Sequence, residues 1–102
     1  MHSLTIVAQR ADGVEHEDMW DKIENSILPL VESLPYHRGY DYRVIIGRIH
    51  GDYDFNAMIE VAFSSMDDLE RASESEQLKE MIEKCQGVFK SESLQIYATH
   101  HL

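Results

Sequence analysis

The chain has a single cysteine, Cys85, so no intramolecular disulfide can form. Cys85 falls in an apolar helical pattern with Leu78, Met81 and Ile82, which predicts a buried, inert thiol and a cytoplasmic protein. Basic residues are scarce: nine Lys and Arg stand against nineteen Asp and Glu, a formal charge of -10, and the nine are scattered. Nothing offsets the repulsion of phosphates, so nucleic acid and anionic membrane are excluded as partners. No apolar run is long enough to cross a bilayer and no basic-then-apolar leader opens the chain, which predicts a soluble, intracellular protein. The five glycines are isolated at turns and no serine is flanked by glycines, so neither a nucleotide fingerprint nor a nucleophile elbow can be assembled. His16 and Glu17 are not followed by a second histidine four positions on, so the zinc-protease helix is absent. His50, Asp52 and Asp54 share a turn without any established ligand spacing, and no metal and no cofactor are expected. Proton-transfer chemistry or binding remains.

What is present is a strongly patterned chain of 102 residues, 43% hydrophobic and 27% charged, which predicts one domain over residues 1–102, near the size where dimerisation helps stability. From Phe55 to Phe63, Phe55, Ala57, Ile59, Val61 and Phe63 alternate with Asn56, Met58, Glu60 and Ala62 at the period of a strand. Similar alternation predicts strands over Leu4 to Arg10, Tyr40 to Ile49 and Leu94 to Thr99. Apolar residues at steps of three and four predict a helix from about Glu17 to Leu34, with Pro29 expected to kink or break it and Pro35 to end it. Ser65 and Asp68 form an acidic variant of the capping box before a second helical stretch. That stretch has a polar break at Ser73 to Gln77 and a stop at Gly87. The order is βαβ twice over, an α+β ferredoxin-like βαββαβ fold with a four-stranded antiparallel sheet and two helices on one face.

Such a fold leaves the other sheet face without cover. Here that face is expected to carry Thr5, Val7 and Gln9, then Arg43 and Ile45, then Asn56, Met58 and Glu60, and finally Gln95, Tyr97 and Thr99. The mixture is too polar for a core and too apolar for ordinary surface. Two copies packing sheet to sheet would shelter it, so a homodimer is expected. Arg43 and Glu60 are expected to meet across neighbouring strands, as a plain ion pair or as a site in which Arg43 holds an enolate or carboxylate while Glu60 takes a proton. His37, beside Arg38 in the connection after Pro35, is a candidate proton shuttle or a solvated loop residue. Tyr97 and Asn56 are suited to orienting a carbonyl or phenolic oxygen, or to a dimer seam. Met58, Gln9 and Tyr40 complete the candidate ligand-binding set, although β-propensity alone explains the tyrosines around the second strand.

The stretch Pro29-Leu30-Val31, then Leu34-Pro35 and Tyr40, then Ala57 to Phe63 with Glu60, and Ser64 to Leu69 with Ser75 beyond, resembles the EthD-like branch of the dimeric α/β-barrel proteins. The likeness implies a dimeric barrel with ligands held between the sheet and its own helices or loops. It also implies chemistry of the cofactor-independent kind: polyketide cyclases, dehydratases, lactone isomerases and monooxygenases. Many relatives carry a histidine two residues before the helix proline, where this chain has Ile27, so no catalytic residue carries over. Three functions stay open. One is a cofactor-independent cyclase, dehydratase or isomerase acting on a hydrophobic, oxygenated, aromatic or polyketide-like ligand. The second is a non-catalytic dimeric binding or accessory protein, and the third a cofactor-free monooxygenase.

Overall fold

Alternation of apolar and polar side chains forces the central strands to bury one face, and the register follows from it. The computed structural model describes all 102 residues, with strands β1 (His2–Ala8), β2 (His37–Val44), β3 (Ala57–Phe63) and β4 (Gln95–His100) in one antiparallel sheet of order β2-β3-β1-β4. Leu4, Ile6 and Ala8 of β1 and Ala57, Ile59, Val61 and Phe63 of β3 are buried beneath the helices. Each large aliphatic or aromatic side chain buried this way contributes about 1.5–3 kcal/mol. A single cluster of 19 buried residues forms the core, joining these strands to Met19, Ile23, Ile27, Val31, Leu69, Leu78 and Met81 of the helices.

The first helical segment runs without interruption as α1 (His16–Lys22), a π-helical turn (Ile23–Ile27) and α2 (Leu28–Glu32). The break expected at Pro29 takes the form of that widened turn. Proline lacks the N–H that an α-turn needs and its ring crowds the carbonyl four residues back; a wider turn relieves both. The second stretch divides into α3 (Met66–Ser73) and α4 (Glu76–Cys85), each started by a serine. Ser65 Oγ accepts from the Asp68 N–H at 3.1 Å and Ser75 Oγ from the Leu78 N–H at 3.2 Å. Gly87, at φ 83, turns the chain away after α4, a conformation that costs glycine nothing.

Strand boundaries differ from the sequence expectation at both ends of β1 and β2 and at the start of β3. β1 starts at His2 and ends at Ala8, because Gln9 leaves the ladder: its N–H donates to Ser93 Oγ at 2.8 Å, and its carbonyl accepts from the Lys90 N–H at 2.9 Å. β2 stops at Val44 and β3 begins at Ala57, so residues 45–56 form a long connection where strands running to Ile49 and from Phe55 were expected. The last rung is Ile45 N–H to the Asn56 carbonyl at 2.9 Å. Beyond it Ile46 and Ile49 have no layer to pack on, and β-propensity without burial does not hold a strand.

Candidate functional site

The uncovered face is built in rows across the sheet. One row reads Asp41, Glu60, Thr5, Tyr97; the next reads Arg43, Met58, Val7, Gln95; a third carries Ala62, Ser3 and Thr99. The β1 and β3 members are half-buried by their neighbours alone, while Asp41, Arg43, Tyr97 and Thr99 are exposed. The expected meeting of Arg43 and Glu60 does not occur within the chain. Arg43 is opposite Met58, and its Nε donates to Asp41 Oδ2 at 3.0 Å. Asp41 is directly opposite Glu60, so two carboxylates face each other and the guanidinium neutralises only the outer one. Like charges in that position are unfavourable, and the exposed Arg43–Asp41 pair contributes little. Glu60 makes no hydrogen bond or ion pair within the chain. Asp41 was the residue missed from the sequence, and the period of two that selected Arg43 selects it equally.

Hydroxyls occupy the other half of the face. Thr5 Oγ1 and Thr99 Oγ1 lie 3.0 Å apart, and the Tyr97 hydroxyl donates to Gln95 Oε1 two residues back. Of the other candidates, Met58 is on this face between Arg43 and Val7. Asn56 stands at its edge, where its Oδ1 accepts from the Arg10 N–H at 2.7 Å and ties the start of β3 to the end of β1.

His37 and Tyr40 have structural partners. His37 opens β2 instead of lying in the preceding loop. Its Nε2 donates to the Glu32 carbonyl at 2.9 Å and its Nδ1 accepts from the Gly39 N–H at 3.1 Å, so both ring nitrogens are engaged in one tautomer. Tyr36 just before it takes φ 66, with the Arg71 guanidinium 5.4 Å from its ring centroid. Tyr40 lies opposite Val61 and packs against the helix-side core. Its hydroxyl donates to Glu32 Oε1 at 2.7 Å; that bond first, then burial and the carboxylate's charge, raises its pKa. Tyr42, also on the helix side, keeps a buried hydroxyl without a partner, and burial followed by the nearby Glu24 charge raises its pKa.

The space between sheet and helices is nearly filled, with a cleft of about 130 Å³ beside Ile82, Cys85, Phe89 and Leu94 at its edge. Ile6, Ala8, Ile27, Ala57, Ile59, Met81, Cys85 and Phe89 enclose a void of about 10 Å³, all apolar. That is at the limit for one water, and the lining offers a water no partner. Ile27, 1% exposed, fills the helix position where EthD-like chains often place histidine. Burial pushes the neighbouring Cys85 thiol up to about 12, which keeps it protonated and unreactive. Open clefts lie elsewhere. One of about 630 Å³ separates α1 from the end of α4 and mixes Asp18, Asp21 and Glu83 with Lys22 and Lys84. Another, of about 570 Å³, lies beneath the 45–56 connection beside His16.

No protein-family model matches the sequence, and no curated protein matches it. Solved structures do. A protein of the ethyl tert-butyl ether D (EthD) family from Bacillus halodurans superposes with a TM-score of 0.82 at 18% identity, covering 100% of this chain and 99% of that one. The chain has the ferredoxin-like fold, shared with that protein. A protein from Arabidopsis thaliana shares that fold at a TM-score of 0.80 and 13% identity, with 100% of this chain and 96% of the other covered. A Bacteroides fragilis protein, described as dimeric, ferredoxin-like and of unknown function, gives a TM-score of 0.70 at 11% identity over 98% of this chain and 95% of its own. No helix of the chain is long and apolar enough to cross a membrane.

Proposed function

We propose that the protein is a cytoplasmic homodimer that binds a small hydrophobic, oxygenated molecule between two sheets packed face to face, without cofactor. The observation that carries this reading is the contrast between the dry void of about 10 Å³ on the helix side and the half-buried, hydroxyl- and carboxylate-bearing rows on the open side. A second copy would cover Val7 and Met58, while Thr5, Tyr97 and Gln95 would offer donors and acceptors to a carbonyl or phenol. The dimeric description of the similar Bacteroides fragilis protein supports the pairing. Native mass spectrometry of protein purified from its own host tests the proposal. A dimer retaining a small oxygenated compound supports it, and a monomer removes it.

A second reading gives the same face a reaction, a cyclisation, dehydration or isomerisation driven by proton transfer. Glu60 favours it: the carboxylate has no cation of its own chain beside it and sits one strand from Thr5 and two from Tyr97. In that reading Glu60 takes the proton, and Arg43, freed from Asp41, steadies the developing oxyanion, with His37 confined to holding the entry of β2. Glu60→Gln separates the two readings. Ligand retention with turnover abolished assigns the proton transfer, whereas retention with no turnover in either protein leaves a binding protein.

A further inference from the structure

The longest connection in the chain, residues 45–56, carries its most exposed apolar side chains away from either terminus. Ile46 is 97% exposed, Ile49 102% and Tyr53 69%. None of residues 46–55 makes a backbone–backbone hydrogen bond, and an Arg48 to Asp54 ion pair at 3.4 Å is the arm's salt bridge. Isolated surface leucines or isoleucines are ordinary, but these are contiguous with further apolar surface. Tyr53 stacks on Phe55 with centroids 6.1 Å apart. At the base of the arm, on its helix side, Ile45 and Ile46 line a cleft of about 250 Å³ with Val44 and with His16 and Trp20 of α1, the tryptophan being 39% exposed. Tyrosine and tryptophan are enriched at the buried centres of interfaces.

Area decides the occupant. Four strands of roughly seven residues, about 4.8 Å apart and rising about 3.3 Å per residue, give the open face a footprint of about 440 Å². Two such faces cover about 900 Å² in flat projection, below the range of about 1,200–2,000 Å² of accessible surface that stable interfaces bury. The arm continues β2 and β3 beyond Arg43 and Met58, so it projects from the end of that face, and its side chains would add to the area a second copy covers. We propose that the 45–56 arm docks on the second copy of the chain, burying Ile46, Ile49 and Tyr53 at the dimer interface. This rests on the paired-sheet reading above and adds the segment that makes the pairing tight.

Sedimentation equilibrium of the full chain and of an Ile46→Asp, Ile49→Asp variant tests it. The wild type is expected to be a dimer at micromolar concentration, and the variant to dissociate at least about 100-fold more easily, the effect of losing a hot-spot pair. Both positions are open to solvent in one chain, so the far-UV circular dichroism of the variant should be unchanged. Hydrogen exchange gives a second readout on the wild type alone: amides 46–55, unprotected in a monomer, should slow as concentration drives dimerisation. A variant that dimerises as tightly as the wild type, or an arm that exchanges equally fast at all concentrations, overturns the docking while leaving the paired sheets intact. A monomeric wild type overturns the paired sheets and the arm together.

Discussion

The two faces of one sheet are built from the same four strands and have opposite fates. On the helix side, Leu4, Ile6, Ile59, Val61 and Phe63 interlock with Ile23, Ile27, Val31 and Met81 so closely that the void left is about 10 Å³. On the other side Thr5, Val7, Met58 and Glu60 stay half-buried, sheltered only by one another. A residue's place in the period of two therefore decides whether it serves stability or contact. The helix side is closely packed, and the side with polar groups to offer is open.

Substitutions that separate the faces sharpen the contrast. The largest effect is expected at Phe63, fully buried at the end of β3. Phe63→Ala should cost about 3–5 kcal/mol in urea unfolding, and a loss under about 1 kcal/mol would mean that the helix layer does not seal the face. Cys85 follows. The unfolded thiol releases its proton near 9, whereas the folded one holds it to about 12. Below pH 9 both states are protonated and the contribution is complete. Above it the unfolded state binds fewer protons, so stability falls by at most about 1.4 kcal/mol per pH unit until about pH 12. The difference in stability between wild type and Cys85→Ala, followed from pH 8 to 11 by urea unfolding, should narrow as pH rises; a constant difference would place the thiol in water. The helix starts come next: Ser65→Ala and Ser75→Ala should each lower stability by about 1 kcal/mol, and no change would mean that the caps are replaced by water. The smallest effect belongs to the open face, where Arg43→Ala should alter folding stability by less than about 0.5 kcal/mol because its pair with Asp41 is exposed. A loss several times larger would mean that Arg43 is covered in the folded assembly, as paired sheets would cover it.

Much of this was legible in the sequence because periodicity reports burial. The alternation from Phe55 to Phe63 gives the register of β3, and the open-face expectation for Thr5, Val7, Met58, Glu60, Gln95 and Tyr97 follows from the same count. Pairing was less legible. Period selects a face but leaves open the residue opposite, so Arg43 was matched to Glu60 when the register puts Asp41 there and Met58 beside Arg43. His37 and Tyr40 had a chemical signal, yet their partners, the carbonyl and carboxylate of Glu32, come from the end of α2 and are fixed only once that helix packs on β2. The arm was misread for a complementary reason. Ile45, Ile46 and Ile49 carry strand propensity, and propensity cannot tell a strand that pairs within its chain from a segment whose partner is another molecule.

The central claim is that the open face has a partner of its own kind, and sedimentation equilibrium of the wild type beside Thr5→Arg tests it most directly. Thr5 sits mid-face between Glu60 and Tyr97, where an arginine should find solvent in one chain and should clash in a pair. The account predicts a wild-type mass of twice 11.8 kDa at micromolar concentration and a monomeric, fully folded Thr5→Arg. A wild type that sediments as a monomer would contradict it.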